Sequence, residues 1–352
     1  MIQVKGVSKF YGTFPAVQGV TFEATPGQVV GLLGPNGAGK TTTIRMITGF
    51  LPPSAGRISV CGHDTISASA ESRQKIGYLP ESAPLYPEMR VRDYLSHRAR
   101  LYGMLRVDRK PAIIRAADRC RLLEVMTRRI GHLSKGFRQR VGLASAILHN
   151  PPVLILDEPS NGLDPAQIRE TRTLIKDLSA QRTVLVSSHI LPEVERTCDR
   201  VVIIARGQIR ADGAPPELLA RMLRQVPARH IVEIYVETRP DPEAGGRSEL
   251  DRIASKIRAI PGVAALVREP IHGEPPDPTG ARVAEWVRLV VMPEVTHPDL
   301  REPLSRTLSS ATVLFRELRR QAPTLEQLFM RVIDAETVPV GASNAAQEGG
   351  GE

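Results

Sequence analysis

Gly34-Pro35-Asn36-Gly37-Ala38-Gly39-Lys40-Thr41 is the stretch on which the fold turns. It satisfies the pattern G-x-x-x-x-G-K-[ST] in full. The apolar run Val29-Val30-Gly31-Leu32-Leu33 precedes it, and a helical pattern from Thr42 to Ile47, closed by Gly49, follows. Strand, glycine-rich turn and helix in that order make a phosphate cradle. Glycines let the backbone curl so that its N–H groups converge on phosphate oxygens. The helix N-terminus adds a partial positive charge. In such a loop Lys40 reaches the β- and γ-phosphates of a nucleotide, and the Thr41 hydroxyl ligates Mg²⁺. A chance glycine-rich turn lacks this flanking strand and helix.

A second stretch completes the chemistry. Val153-Leu154-Ile155-Leu156 is apolar at every position and ends in Asp157-Glu158. Such a run reads as a strand buried on both faces, as in a parallel sheet covered by helices. An acid at its end, beside a phosphate loop, is placed for Mg²⁺, which is the role expected of Asp157. Glu158 follows at once, where a carboxylate can orient or deprotonate an attacking water. Val184-Leu185-Val186 and Val201-Val202-Ile203-Ile204 are further buried runs, and Ala166 to Leu178 carries Ile168, Leu174, Ile175 and Leu178 on one helical face. Residues 1 to about 216 therefore read as an α/β domain. Within it, residues 84 to about 150 lack a buried-strand pattern and read as an inserted helical subdomain. There Ser134 is a good N-cap for a helix carrying Phe137, Val141, Ala144 and Leu148, and Asn150-Pro151-Pro152 stops it.

The remainder has a different rhythm. Val232, Ile234 and Val236 alternate with Glu233, Tyr235 and Glu237, a half-buried strand. A helix from Glu249 to Ile260, strands at Gly262 to Val267 and Val283 to Val291, a helix from Pro298 to Leu308 and a strand at Thr312 to Phe315 follow. The order β-α-β-β-α-β is that of a ferredoxin-like α+β domain, expected over 217–335. Flexible loops are expected at 239–246 and 274–280. Residues 336–352, rich in Gly, Ala and polar residues, are expected to form a disordered tail.

Composition narrows the class. With 352 residues, two domains are expected, and no disulfide or metal is needed to hold a core. Three cysteines, Cys61, Cys120 and Cys198, are too few and scattered for a disulfide framework or zinc cluster, which favours a reducing compartment. Val60-Cys61-Gly62-His63-Asp64 reads as a strand and turn and not as a metal site. No apolar run is long enough for a membrane span. The first residues lack the layout of a signal peptide. The 47 Lys+Arg against 38 Asp+Glu give a net charge of +9. Many of the arginines, including Arg98, Arg100, Arg106, Arg109, Arg115, Arg119 and Arg121, fall in the helical insertion. A solvated face is the favoured reading, with an anionic membrane surface second. Aromatic residues make up only 4% of the chain, which leaves little material for base-stacking platforms.

Further segments, in order, resemble the ATP-binding cassette (ABC) ATPase family. Tyr11, before the first β segment, resembles the aromatic residue that stacks on adenine. Tyr78-Leu79-Pro80-Glu81 sits where the family has its Q-loop, and Leu133-Ser134-Lys135-Gly136-Phe137-Arg138-Gln139-Arg140 resembles the signature motif. Ser160-Asn161-Gly162-Leu163-Asp164-Pro165 resembles the D-loop, and His189 the switch histidine. The match covers residues 1 to about 216. Glu81 stands where Gln is usual and adds negative charge near the metal. Lys135 and Phe137 replace the commoner Gly and Gln, while Ser134 and Gly136 are retained. These variants look like those of exporter ATPases and of gliding-motility or copper-processing systems.

The resemblance implies a P-loop NTPase core of the ABC type that binds ATP and Mg²⁺. Glu158, His189 and Lys40 are the catalytic group. Tyr11, the loop from Gly34 through Thr42, Ser134 and Gly136 are the nucleotide contacts, and Thr41, Asp157 and Glu81 face the metal. It also implies a head-to-tail pair of cassettes, most simply a homodimer, in which Ser134 and Gly136 of one chain meet the nucleotide of the other. A separate transmembrane permease would dock between the helical subdomain and the core, near Glu81 to Tyr94, on the cytoplasmic face of the membrane. Pro323 to Phe329 resembles the C-terminal segment of exporter ATPases and also fits an amphipathic helix. The expected function is the ATPase subunit of an ABC exporter, with no nucleic-acid partner. The rival readings are a soluble ABC ATPase acting on nucleic acid or ribosomes, and a non-enzymatic ATP-gated regulator.

Overall fold

The computed structural model describes residues 1–218, 220, 228–237, 248–269, 271, 284–294, 296 and 299–321. The expected loops at 239–246 and 274–280, the segment 323–329 and the expected tail 336–352 lie outside them. The chain forms two compact units, Met1–Pro215 and Pro216–Leu328.

In the first unit, β1 (Ile2–Tyr11), β2 (Phe14–Ala24), β4 (Ala55–Val60) and β5 (His63–Asp64) form an antiparallel sheet in the order β2-β1-β4-β5. A second sheet has the order β10-β9-β3-β8-β7-β6. Its strands are β3 (Val29–Leu33), β6 (Ile76–Leu79), β7 (Val153–Asp157), β8 (Thr183–Ser188), β9 (Arg200–Ala205) and β10 (Gln208–Gly213). All neighbours are parallel except the β9–β10 hairpin. Every residue of β3, β7 and β8 is buried, as their unbroken apolar runs require. Helix α1 (Lys40–Ile47) joins the two sheets into one core. Its Ile44, Met46 and Ile47 pack with Ile2, Val4 and Phe22 of the antiparallel sheet and with Leu32, Ile155 and Leu185 of the parallel one. Full burial of such side chains contributes about 1.5–3 kcal/mol each.

The insertion is helical: α2 (Ser69–Gln74) precedes β6, and α3 (Val91–Leu101), α4 (Arg106–Arg119) and α5 (Lys135–Ile147) lie between β6 and β7. Ser134 caps α5 as expected, its Oγ accepting the N–H of Phe137 at 3.3 Å. After β7 come α6 (Pro165–Ser179), capped by Asp164, and α7 (Leu191–Thr197). Cys198 is buried directly after α7, and none of the three cysteines is in a disulfide. Among the described residues no cluster of metal-ligating side chains occurs, and no helix is long and apolar enough to cross a membrane.

The second unit runs β11 (Arg229–Glu237), α8 (Glu249–Arg258), β12 (Val263–Glu269), β13 (Ala284–Pro293), α9 (Arg301–Ser310) and β14 (Leu314–Gln321). Its antiparallel sheet has the order β12-β13-β11-β14. Val232, Ile234 and Val236 face the helices and pack with Ile253, Ile257, Leu304 and Leu308. Ser248 and Asp251 form a reciprocal capping box that starts α8. On β11, Glu233 is buried and takes Arg288 and Arg316, and Arg316 stacks over Trp286 at 4.4 Å.

His149, just beyond α5, stacks on Tyr102 with ring centroids 4.0 Å apart. Burial pushes its pKa down to about 4. A histidine held neutral below its unfolded pKa of about 6.5 stabilises the fold fully above that value. That contribution is lost as pH falls from about 6.5 toward 4. Urea unfolding at about pH 5 is therefore expected to show the first unit about 1–2 kcal/mol less stable than at about pH 7. His149→Phe, which keeps the ring stack, should flatten that dependence.

Candidate functional site

The site grows from the register of the parallel strands. Leu32 of β3 pairs with Ser187 of β8, and Ser187 pairs with Asp157 of β7. Three strands that end level release their next residues at one height. The chain therefore delivers Gly34, His189 and Glu158 side by side at the carboxyl ends of the strands, where open α/β sheets bind ligands. On β6, Leu79 pairs with Leu156, so Glu81 emerges beside them two residues later.

The loop after β3 is built around close backbone approaches. A Cβ on Gly34 would lie 2.3 Å from the carbonyl oxygen of Ile204. Gly39 has φ +105°, and a Cβ there would meet the Ala16 carbonyl at 2.7 Å. Gly39 is the N-cap of α1, so the helix begins at Lys40, two residues earlier than the pattern from Thr42 suggests. Lys40 is 6% exposed. Its ammonium donates to the carbonyls of Gly34 (2.7 Å) and Pro35 (3.2 Å) and lies 3.6 Å from Glu158 Oε1. A buried ammonium needs such partners, because an unpaired one costs several kcal/mol.

Glu158 adopts φ +49°, a left-handed conformation that costs a non-glycine residue roughly 1–2 kcal/mol. Two hydrogen bonds hold it: its N–H donates to Ser187 Oγ at 3.0 Å, and its carbonyl accepts from the Asn161 N–H at 3.1 Å. The turn aims its carboxylate between Lys40 and His189, whose Nδ1 is 2.9 Å from Glu158 Oε2. With a carboxylate as acceptor, Nδ1 carries the hydrogen of this contact. Asp157, 1% exposed, takes a 2.5 Å hydrogen bond from the Ser187 hydroxyl. Burial pushes its pKa up. The Ser187 hydrogen bond opposes this, and the nearby carboxylates of Glu158 and Glu81 add to it.

Lys40, Glu158 and His189 border an open cleft of about 570 Å³, whereas Asp157 and Ser187 are buried behind Glu158 and are not part of its lining. It is lined by Tyr11 and Phe14, the loop from Asn36 through Thr42, and Glu81, Glu158, Asn161 and His189, with Ala16 beside them. Tyr11 closes β1 instead of preceding the first strand, and it faces Phe14 across the hairpin. Both rings are exposed. The cleft is roomy and oxygen-rich, and the available hydroxyl and carboxylate donors suit a hard divalent cation.

The structure thus gathers Tyr11, Asn36, Gly37, Ala38, Gly39, Lys40, Thr41, Thr42, Glu81, Glu158 and His189 around one cleft. Gly34 and Pro35 serve it through the carbonyls that hold Lys40. Ser134 and Gly136 line no part of it: Ser134 caps α5, and Gly136 packs against Gln167 of α6. Sequence reasoning missed Phe14, Asn161 and Ser187 as contributors. Asn161 donates from its amide to Glu81 Oε1 at 3.0 Å, and Ser187 binds both acids. Asn161 belongs to the Ser160–Pro165 segment that resembles the D-loop. Ser187 was legible only as the polar end of an apolar strand.

Comparison with known proteins agrees with this geometry. The ABC transporter family profile matches residues 17–161. The chain is 37% identical over 254 residues to the Nod factor export ATP-binding protein I of Burkholderia orbicola, covering 72% of this chain and 81% of that protein. It is 42% identical over 201 residues to the ABC transporter ATP-binding protein NatA of Bacillus subtilis, covering 56% of this chain and 82% of that protein. A solved ATP-binding subunit of an ABC transporter superimposes with a TM-score of 0.58 at 33% identity, covering 63% of this chain and 93% of that one.

Ser187→Ala removes the donor to Asp157 and the acceptor for the Glu158 N–H together. ATP turnover is expected to fall about ten- to a hundredfold in kcat, with a smaller change in KM, as read by steady-state phosphate release. The strand register, the loop that holds Lys40 and the relatives together give one conclusion: the chain belongs to the ABC transporter family, as one of its ATP-binding, ATP-hydrolysing subunits.

Proposed function

We propose that this chain is the ATPase subunit of an exporter, driving a separate transmembrane permease from the cytoplasmic face of the membrane. The observation that carries the enzymatic part is the contact chain Lys40–Glu158–His189, held at the level ends of β3, β7 and β8. In this reading Lys40 and the N–H groups of the loop take the phosphates of ATP. Tyr11, with Phe14 opposite, stacks on the base. Glu158 accepts the proton of the attacking water. His189 holds the Glu158 carboxylate through Nδ1 and meets the γ-phosphate through Nε2. Asn161 keeps Glu81 turned toward the acids. Thr41, Asp157 and Glu81 would hold Mg²⁺, which when bound offsets negative charge on the phosphates.

Ser134 and Gly136 stand away from the chain's own cleft, which supports a role toward a second copy. Two chains would then sandwich two ATP molecules head to tail and open after hydrolysis. A second groove, of about 230 Å³, lies among Phe50, Tyr78, Pro84, Tyr94, Arg98 and Tyr102. It spans the core and the helical insertion. Its aromatic walls suit a short cytoplasmic segment of the permease. Export as the direction is supported by relatives such as the Nod factor export protein. The nucleic-acid reading gains no support.

Glu158→Gln is expected to bind ATP, to lose about a hundredfold or more of its turnover, and to accumulate as a closed dimer. Tagged Glu158→Gln protein, recovered from solubilised membranes with MgATP, should bring down one polytopic membrane protein by mass spectrometry. Unchanged turnover would remove Glu158 from its role. Recovery of ribosomal or DNA-bound proteins alone would overturn the transport reading.

A further inference from the structure

The corner between α3 and α4 breaks the packing logic followed elsewhere in the first unit. Helix α4 buries Ala112, Ala116 and Ala117, yet its larger apolar residues Val107 and Ile114 are 76% and 48% exposed. Leu101 at the end of α3 and Leu105 just before α4 are 62% and 69% exposed. These side chains serve no core, and they line neither the nucleotide cleft nor the aromatic groove. Several large apolar side chains left exposed at one helix corner mark a candidate interaction surface.

The charge around it has one sign. From Arg98 to Lys110 the sequence carries five basic residues, Arg98, Arg100, Arg106, Arg109 and Lys110, against a single acid, Asp108. Arg98 and Arg109 are engaged locally, by Ser145 and by the Met104 carbonyl. Arg100, Arg106 and Lys110 are exposed and have no carboxylate partner among the described residues. Arg106 is also the first residue of α4, where the helix dipole disfavours cations. Folding alone does not reward this arrangement, whereas a negatively charged partner does.

We propose that the α3–α4 corner is a contact for an anionic phospholipid surface. Leu101, Leu105 and Val107 enter the headgroup layer, and Arg100, Arg106 and Lys110 pair with lipid phosphates. A protruding apolar tip ringed by cations is what such a layer accepts, since lipid needs no matching shape. Orientation supports the same choice. Tyr94 and Arg98 of the same helix α3, with Tyr102 just past its end, line the groove proposed above for the permease segment, so a docked permease would bring this corner toward the bilayer. In that one respect the inference rests on the transport reading.

The test is co-flotation of the full-length protein with vesicles, without nucleotide. Vesicles of phosphatidylcholine mixed with phosphatidylglycerol should carry the protein, and pure phosphatidylcholine vesicles should not. Added salt should weaken the binding. Arg106→Glu/Lys110→Glu should lower partitioning roughly tenfold or more. Leu105→Ser/Val107→Ser should remove the part that survives high salt. Basal ATPase activity should be unchanged in both, which also reports that they fold. Arg252→Glu/Lys256→Glu on α8 makes the same change in net charge and should still bind. Equal binding to both vesicle types, or equal loss in the α8 variant, would overturn the proposal. So would absence of vesicle binding with permease capture intact, an outcome that leaves the transport reading standing. Loss of permease capture in Arg106→Glu/Lys110→Glu, with no vesicle binding by the parent protein, would assign the corner to a protein partner instead.

Discussion

The level ends of three parallel strands are the constraint on which the rest of the first unit depends. Leu32, Ser187 and Asp157 stand in register across β3, β8 and β7. A shift of one residue in any pair would turn buried side chains to the wrong face and move Glu158 or His189 out of reach of Lys40. The register is held by continuous burial on both faces of the sheet, so the apolar core and the polar cluster are not separable features. The cluster is also locally strained. Glu158 occupies a left-handed conformation, and Ser187 and Asn161 supply the hydrogen bonds that keep it there. Strain of this kind persists where the surroundings over-determine it, and here it points a carboxylate at an ammonium and an imidazole together.

Around this centre the two kinds of sheet have separate tasks. The parallel strands present acids and the phosphate loop, while the antiparallel hairpin reaches over to add Tyr11 and Phe14. The connection is made by backbone: Gly207 donates to the Ala38 carbonyl, and Gln18 donates to the Gly207 carbonyl. Glycine at 39 permits the Ala16 carbonyl to approach. Placing the aromatics therefore requires the same close contacts that shape the loop. The helical insertion contributes a groove on one side of α3 and a basic, apolar corner at its end. One short hairpin thus offers two different surfaces, each with chemistry that folding alone does not explain.

Much of this was legible in the residues. The phosphate loop announced itself by glycine spacing and flanking pattern. The buried strands announced themselves by apolar runs without alternation, and β11 by its strict alternation at Val232, Ile234 and Val236. The end of α5 is marked by Asn150-Pro151, and its start by Ser134. Errors fell where local pattern and backbone geometry part company. The helix after the loop starts at Lys40 because Gly39 in a left-handed conformation can act as its N-cap, which no hydrophobic period reveals. Tyr11 lies at the tip of a hairpin and not before the first strand, because β1 runs on through the half-buried Ser8 and Lys9 and the exposed Phe10. Strand β14 extends to Gln321, well past the expected Phe315, since its pairing with β11 supplies the backbone bonds for a segment rich in arginine.

What the sequence by itself determined is the chemistry available: a phosphate loop, an acid pair, a histidine, and the order of strands and helices that carries them. These follow from local rules, because glycine spacing, capping residues and hydrophobic period act over a few residues. Which groups meet was decided only by tertiary structure. Ser187 binds both Asp157 and Glu158, Asn161 binds Glu81, and Phe14 faces Tyr11, because strand pairing brings together positions far apart in the chain or across a turn. The sequence also carried the arginines of the helical insertion. Only packing showed that Val107 and Leu105 stand outside the core beside them, since burial is a property of neighbours and not of the residue alone.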